Sequence, residues 1–437
     1  MDNLPQTAGA DSLGRATILK VTRRLLPFLL LLYVVAYIDR VNIGFAALQM
    51  NEDLGLSASM YGFGAGIFFI GYALFEVPSN LILARVGARI WITRIMITWG
   101  VVSVAMMWVH TPASFYVLRF LLGVAEAGFF PGIIYYLCDW FPQKQRARAV
   151  SWFMAAIPLS IVIGGPLAGL LLGLDGRLGL AGWQWLFLVE GLPAVLLGFV
   201  VVLYLDDKPE DARWLNADEK AWLVREIRSE QQRARERHHV GIGAALAHPV
   251  VWTLGFINLA LQTGSYGLAL WVPQILKGFG GLSDLEVGLV SAIPFAFAAV
   301  GMVLIGRSSD RSGERFGHLV ATLVVAAAGF AASALVKSPL PALVLLTITA
   351  VGDLGGRGPF WALPGRFLAG SASAAGIAFI NVFGAVGGFV GPNLIGFMKD
   401  VTSDYTGGLL LLAGIVFTGA VATLALRRAR SLQPEPA

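Results

Sequence analysis

The sequence is poor in cysteine, histidine and charge. Its single cysteine, Cys138, excludes an intrachain disulfide and any cysteine-based metal cluster. The five histidines fall in predicted loops or at the ends of apolar runs, so none is placed to relay protons inside those runs. A phosphate loop of the G-x-x-x-x-G-K-S/T type is missing, so ATP is not expected as the energy source. We therefore predict no cofactor and no metal site.

Apolar residues dominate instead. They make up 57% of the 437 residues, charged residues only 14%, and there are 52 glycines. This composition is typical of a protein that crosses a membrane several times. The net charge of +5 is compatible with a nucleic-acid partner, but the Lys and Arg residues lie mostly in short loops, where they set membrane topology. We therefore expect a lipid bilayer and no nucleic acid.

Runs of about 20 mainly apolar residues recur along the chain and predict twelve membrane spans. They cover residues 25–48, 61–84, 90–109, 114–138, 148–173, 184–205, 250–275, 286–306, 318–336, 341–368, 374–398 and 407–427. The predicted fold is an all-α membrane protein with two six-helix halves. Its parts are a tail (1–24), a first half (25–205), a connector (206–249), a second half (250–427) and a second tail (428–437).

The connections on one side of the predicted bundle collect most of the Lys and Arg. The other side has only Arg177, Lys277, Lys337 and Lys399. Because cytoplasmic loops are rich in Lys and Arg, both termini are expected in the cytoplasm. The high ratio of arginine to lysine and the abundant alanine indicate a GC-rich bacterium, and hence its inner membrane.

The long connector contains a predicted amphipathic helix. Asn216 can cap a helix that begins at Ala217, and Glu219 can reach back to complete a capping box. Trp222, Leu223 and Ile227 then form one apolar stripe.

The two halves carry an internal repeat. Residues Asn80, Arg85, Gly87 and Arg89 align with Gly306, Arg311, Gly313 and Arg315 at one constant offset, which takes position 80 to position 306. The same offset takes Gly165-Pro166 onto Gly391-Pro392. A duplication of this kind is the build of many secondary transporters, in which the binding site lies between the halves.

The run GRSSDRSGER, from Gly306 through Asp310 and Arg311 to Gly313 and Arg315, resembles the loop signature of the major facilitator superfamily. The first copy keeps Arg85, Gly87 and Arg89, but has Asn80 and Ala84 where the signature has Gly and Asp. With YIDRVN, GYALFEVPSN, RFLLGVAEAGFFPG and GPFWALP, the chain is similar to the anion:cation symporter family of bacterial carboxylate permeases. The resemblance implies that these loop residues take part in gating.

Asp39 and Arg40 lie inside the first span, where a charge is costly unless it has a partner or faces a cavity. Neighbouring helix residues point about 100° apart, so the two are not expected to neutralise each other. Tyr37 and Arg40 share a face and can bind a carboxylate, which leaves Asp39 free to exchange a proton. A gate in which Asp39 and Arg40 bridge to other helices is the compatible alternative.

Arg119 and Glu126 share a face of the fourth span. A carboxyl group in a low-dielectric cavity holds its proton more tightly, which makes Glu126 the first candidate for proton carrier. Arg119 either holds the carboxylates of the first half or binds substrate. For Glu76 and Glu190 a role in gating or anchoring is favoured.

The family resemblance implies proton coupling by Asp39 and Glu126, and substrate contact by Arg40, Tyr72, Trp361 and Asn381. In the tenth span, Asp353, Arg357 and Trp361 form one stripe at i, i+4 and i+8. Either Asp353 and Arg357 neutralise each other, or Arg357 binds a second polar end of the substrate.

We therefore expect a monomeric, proton-coupled symporter of a small organic anion. By resemblance, the anion is a sugar acid, a tartrate-type acid or an aromatic acid. A proton-coupled exporter of a drug or metabolite is the alternative, supported by GGPLAG at Gly164 to Gly169. A transporter-like receptor is a further alternative, but it would be expected to carry a sizeable cytoplasmic signalling domain. The sequence offers only a connector and a short tail for that role. An enzyme is not expected, because no nucleophile with a base, and no metal cluster, converges in the spans.

Overall fold

A computed structural model describes residues 5–236, 248–367 and 370–431. All regular secondary structure in these residues is helical. Parts of the predicted tails and connector, namely residues 1–4, 237–247 and 432–437, lie outside the described residues.

The first half contains six spans. Span 1 consists of the helices Pro5–Val41 and Ile43–Asp53, span 2 of Ala58–Val86, span 3 of Ala88–Ala105 with the short turn Met106–Trp108, span 4 of Pro112–Glu126 and Phe129–Trp140, span 5 of Gln143–Met154 and Ala156–Leu172, and span 6 of Gly182–Tyr204.

The second half follows the connector helix Ala217–Glu236. Span 7 is Pro249–Gly278, span 8 Asp284–Ser312, span 9 Phe316–Ala334, span 10 the helices Pro339–Gly355, Arg357–Trp361 and Pro364–Phe367, span 11 Gly370–Thr402, and span 12 Thr406–Ser431.

Eleven of the described spans are long and apolar enough to cross a membrane. Span 7 is the exception: it has 30 residues, but polar side chains such as Asn258, Thr263, Ser265 and Gln274 lower its hydropathy. These side chains are buried inside the bundle. Because span 7 keeps its polar groups away from lipid, it serves as the twelfth helix of the bundle.

The helix of span 1 begins well before the predicted membrane span. Residues 5–24, predicted as a tail, form one continuous helix with the rest of the span. This extension contacts the connector, where Lys20 Nζ lies 2.8 Å from Glu219 Oε2. The hydrogen bond and charge of Lys20 lower the pKa of the Glu219 carboxyl. The N-terminal extension of span 1 is therefore anchored to the connector helix.

The predicted cap of the connector helix is present. Asn216 N donates to Glu219 Oε2 at 2.9 Å, and Glu219 N donates to Asn216 Oδ1 at 2.8 Å. Leu223 and Ile227 are buried, as the apolar stripe required.

The sequence repeat is also present in three dimensions. The offset that takes position 80 to 306 also takes the first and last residues of span 2 to those of span 8. Ser57 caps span 2 by accepting from Met60 N, and Ser283 caps span 8 by accepting from Glu286 N, both at 3.3 Å. Since the same offset relates these two serines, it connects structural positions and not sequence alone.

Two close approaches of glycine join the halves at the end away from the connector, which we call the closed end. A Cβ atom on Gly62 would lie 2.6 Å from the carbonyl oxygen of Pro392, and one on Gly288 would lie 2.3 Å from that of Gly165. The repeat relates the two contacts to within one residue, because it takes position 62 to 288 and Gly165 to Gly391, the neighbour of Pro392. Backbones this close leave no room for a side chain.

A polar contact, which we call the Asp400 latch, adds to the closure. The Asp400 carboxylate of span 11 accepts from Ser57 Oγ, Ala58 N and Ser59 N at 2.8 to 3.0 Å. It therefore caps the N-terminus of span 2 from the opposite half, where the helix dipole favours a negative charge. Opening this end must break the latch.

We expect Asp400→Asn to favour the open form of this end, because an amide is a weaker cap than a carboxylate. Losing a cap costs about 1 kcal/mol, a roughly fivefold shift of a two-state equilibrium. Spin labels on cysteines at the exposed positions 177 and 337, in a Cys138→Ser background, would report a larger population of long distances.

Asp404→Asn is the matched control for the latch. Asp404 Oδ1 accepts from Thr406 N at 2.9 Å within its own half, so its loss should not move the halves. Equal distance changes in the two variants would contradict a latch at Asp400.

Candidate functional site

A narrow cavity of about 60 Å³ lies between the two halves. Seven of its fifteen lining residues are aromatic and two are arginines. Both halves contribute: Tyr33, Tyr37, Arg40, Phe69, Tyr72, Phe130, Met154 and Ile157 from the first, and Gln262, Tyr266, Arg357, Trp361, Asn381, Gly384 and Ala385 from the second. This volume is well below the about 300 to 1,000 Å³ of a typical ligand pocket. A ligand of several heavy atoms therefore requires the halves to move apart.

A larger cavity of about 610 Å³ lies near the connector, beside Trp152 and Trp222. Its two arginines, Arg15 and Arg148, are exposed, and no buried charge of the described residues points into it. The narrow central cavity is therefore the candidate site, since buried arginines line it.

Arg40 is the central charge of the site. Its Nη2 donates to Glu126 Oε1 in span 4, and its Nη1 donates to Tyr266 Oη in span 7 at 3.1 Å. The guanidinium also lies 5.3 to 5.8 Å from the ring centroids of Tyr37, Phe68 and Tyr72. Arg40 thus links a carboxylate of its own half to a hydroxyl of the other half.

Sequence reasoning missed Tyr266, although a signal was available. The offset of the repeat takes Arg40 to Tyr266 and Asp39 to Ser265. Because Arg40 and Tyr266 are repeat partners in direct contact, the cavity lies on the approximate symmetry axis between the halves.

Asp39 faces away from the cavity and has its own partners in the first half. Trp99 Nε1 donates to Asp39 Oδ2 at 2.5 Å, and Ser103 Oγ and Asn42 Nδ2 donate to Oδ1, the latter at 3.3 Å. Only 1% of Asp39 is exposed. Neither Asp39 nor Arg40 neutralises the other, as their helical spacing had predicted.

Glu126 ends the first helix of span 4. The span breaks at Gly128, whose φ of 86° is left-handed, and a Cβ there would lie 2.3 Å from Ser79 Oγ. This break, missed by the sequence analysis, leaves Glu126 at a helix C-terminus, where the dipole disfavours a further negative charge. The Arg40 guanidinium offsets that cost.

Arg357 is the second buried cation of the cavity. Its Nη2 donates to Gln262 Oε1 and to Ser265 Oγ, both at 2.7 Å. Ser265 Oγ in turn donates to Asp353 Oδ2. The hydroxyl therefore bridges Arg357 and Asp353, while Trp361 lines the cavity beside them.

Asn381 and Glu76 connect the halves at the edge of the cavity. Asn381 Nδ2 donates to Glu76 Oε1 at 2.5 Å. Tyr72 and Asn381 both line the cavity, whereas Glu76 is buried behind it. This contact between halves fits the gating or anchoring role favoured for Glu76.

Arg119 does not line the cavity. It is fully buried, and its Nε and Nη2 donate to the backbone oxygens of Gly64 and Ala65 at 3.3 and 3.1 Å. Substrate binding by Arg119 is therefore not supported by its position. Its hydrogen bonds also go to backbone carbonyls and not to the carboxylates that the structural alternative named, so the guanidinium fastens span 4 to span 2.

The residues of the loop signature lie at the connector end. Arg89 N donates to Asp207 Oδ1 at 2.8 Å beside Gly87, and Arg315 Nη1 lies 2.6 Å from Asp310 Oδ1. Arg85, Arg311 and Gly313 are exposed, and Gly306 lies near Gly358. None of these contacts joins the two halves: one links the first half to the connector, and the other lies within the second half. A gating role for the signature therefore remains a prediction.

Within residues 5–236, 248–367 and 370–431, no group of three or more His, Cys, Asp or Glu side chains is placed to hold a metal ion.

The sequence model of the Major Facilitator Superfamily matches residues 29–392. The chain belongs to this superfamily. The fold and the family predicted from the sequence are thereby confirmed, and the protein is a multi-pass membrane transporter.

Named relatives support the same assignment. A putative tartrate transporter of Agrobacterium vitis is 53% identical over 94% of this chain and 91% of its own length. A quinolone resistance transporter of Acinetobacter baumannii is 45% identical over 92% of this chain and 93% of its own length.

A solved structure shares the fold. The bacterial homologue of the human lysosomal transporter Spinster, inward-facing and occupied, superposes with a TM-score of 0.76 at 19% identity, covering 94% of this chain and 98% of the other.

The contacts of the two arginines predict different outcomes for the same substitution. Arg119→Lys keeps the charge but loses the fork that reaches two carbonyls, so it should lower the melting temperature and change substrate affinity little. Arg40→Lys should weaken substrate binding about tenfold or more at nearly unchanged stability. Thermal melting and ligand titration of both variants in detergent provide the measurement. A larger loss of affinity for Arg119→Lys than for Arg40→Lys would contradict this division.

Proposed function

We propose that the protein imports a small organic carboxylate together with protons by alternating access of its two halves. The observation that carries this proposal is the Arg40 guanidinium, which lies at the cavity wall and is shared between Glu126 and Tyr266. A cation with a carboxylate on one side and the cavity on the other can exchange one anionic partner for another.

The exchange couples anion and proton. While Glu126 is ionised, it occupies Arg40. Protonation of Glu126 removes that competing charge, and the guanidinium becomes free to bind a substrate carboxylate with its fork of donors. Proton and anion then favour each other's binding, a reciprocal coupling of typically about 1 to 3 kcal/mol. Asp39 is the second proposed proton carrier.

Binding also involves both halves. An anion on Arg40 replaces or extends the Arg40–Tyr266 contact, and Tyr37, Tyr72, Trp361 and Asn381 surround the same space. Substrate therefore acts on the interface that must rearrange when the closed end opens. The named tartrate relative supports a small organic acid as the substrate.

Arg357 provides a site for a second carboxylate. It faces the same cavity from the opposite half, and its nearest carboxyl, Asp353, is reached through Ser265 rather than directly. Two guanidiniums in one cavity favour a dicarboxylic acid over a monocarboxylic acid of similar size.

A proton-coupled exporter is the second candidate, favoured by the relative named for quinolone resistance. Export and import differ in the direction of the proton gradient that drives accumulation. We further propose a monomer in a bacterial inner membrane, with both termini in the cytoplasm, as the Lys and Arg pattern supports.

We expect an inward proton gradient to drive accumulation of one acid in proteoliposomes. Glu126→Gln and Asp39→Asn should lose this accumulation, because an amide has no titratable proton. Counterflow exchange should survive in at least one of the two variants. Uptake measured against a panel of mono- and dicarboxylates provides the test. Uptake indifferent to the gradient and to both substitutions would overturn the symport proposal.

Arg357→Gln should reduce affinity for dicarboxylates about tenfold or more, and affinity for matched monocarboxylates much less, since it removes one charge-assisted partner. Lys337→Gln, which alters an exposed base of the same half outside the loop signature, is the control. An equal loss for both classes of acid would show that Arg357 does not bind a second carboxylate.

A further inference from the structure

Buried acids outnumber buried bases inside the described part of the bundle. Five carboxyl groups are at most 5% exposed and three guanidiniums at most 9%: Asp39, Glu76, Glu126, Glu190 and Asp353 against Arg40, Arg119 and Arg357. An unpaired charge in such an interior is costly, so the excess carboxyls must bind protons. The hydrogen bonds show which carboxyl is the clearest case.

Four of the five carboxyls accept at least one hydrogen bond. Glu126 accepts from Arg40, Asp39 from three side chains, Glu76 from Asn381, and Asp353 from Ser265. Glu190 of span 6 differs: neither of its carboxyl oxygens has a hydrogen-bond partner. No ion pair to Glu190 is present in the described part of the chain.

The Asn42 amide faces Glu190, and the negative charge of Asp39 acts electrostatically on the Glu190 carboxyl. From span 3, the Ser103 hydroxyl lies close to the neighbouring Gly191. Asn42 Nδ2 donates to Asp39 Oδ1, while Asn42 Oδ1 has no donor. Two buried carboxyl groups therefore lie beside one amide, and the closeness of like charges makes ionisation of both costly. Glu190, whose carboxyl oxygens have no hydrogen-bond partner, is the one expected to hold a proton.

We propose that Glu190 is a further proton-carrying residue, which exchanges its proton with Asp39 under control of the Asn42 amide. In the structure the amide donates to Asp39, and with the bonds from Trp99 and Ser103 this favours an ionised Asp39 and leaves the proton on Glu190. When the amide N–H₂ turns towards Glu190, the preference reverses. One proton is then lost from a carboxyl oxygen of Glu190 and gained by one of Asp39, with no change in net charge.

The positions along the helices support an order of transfer. Glu190 lies eight residues, or about 12 Å, from the closed-end start of Gly182–Tyr204. Asp39 lies fourteen residues, or about 21 Å, from the closed-end terminus of span 1 at Asp53. A proton arriving from that end reaches Glu190 before Asp39, and Arg40 and Glu126 lie at nearly the same depth as Asp39.

This inference rests on the proposed proton coupling, and Glu190→Gln tests it. Glutamine keeps the size and the neutral charge of the protonated acid but has no titratable proton. We expect counterflow exchange at equal pH close to wild type. Loss of one coupled proton should lower gradient-driven accumulation about tenfold per pH unit of gradient, since one pH unit corresponds to about 1.4 kcal/mol. Glu52→Gln, at an exposed acid near the same end, is the control.

The outcomes separate the two proposals. If wild-type accumulation ignores the gradient, the proposed symport is wrong, and this inference is wrong with it. If the wild type responds and Glu190→Gln responds equally with an unchanged pH profile, symport stands and the role of Glu190 is overturned.

A second variant covers the case in which Glu190→Gln does not fold. Glu190→Asp keeps a titratable acid but shortens its reach to Asn42, so gradient-driven accumulation should persist with a shifted pH profile and a shifted infrared band of the protonated acid. An unchanged pH profile and an unchanged band would overturn the proposal.

Discussion

The contact of Arg40 with Glu126 and Tyr266 is the interaction on which the site depends. A guanidinium that is 8% exposed cannot remain in the bundle without an anionic partner. Glu126 provides the charge from the same half, and Tyr266 provides a neutral acceptor from the other. The cation is thus stable without substrate, yet it has a partner that a proton can remove. Stability and coupling come from the same carboxyl group.

This local arrangement needs two halves that can separate, and the packing at the closed end provides for it. Glycines at positions 62, 165 and 288 allow backbones to meet, while the Asp400 latch is polar and lies at the surface. Breaking contacts of this kind costs little free energy, whereas separating an apolar core would cost much more. Spans 2 and 11 connect this end to the cavity, because they also carry Tyr72 and Asn381.

Much of the fold followed from periodicity and charge. Twelve apolar runs, the asymmetric Lys and Arg, and the capping box at Asn216 and Glu219 all have local causes, and the structure contains the corresponding helices. The break at Gly128 was not predicted, because a lone glycine within an apolar run is compatible with a continuous helix. Its left-handed φ and its contact with Ser79 depend on how closely span 2 packs.

The sequence by itself determined which residues are costly in a membrane: Asp39, Arg40, Glu126, Asp353 and Arg357 had to find partners, because charge in apolar runs demands them. Only the tertiary structure decided who those partners are. In the folded protein, Arg40 donates to Glu126 and Tyr266, and Arg119 donates to the carbonyls of span 2. Glu190 faces Asn42. The choice of partners depends on how helices that are distant in sequence pack together, and a short-range sequence pattern carries no information on that packing.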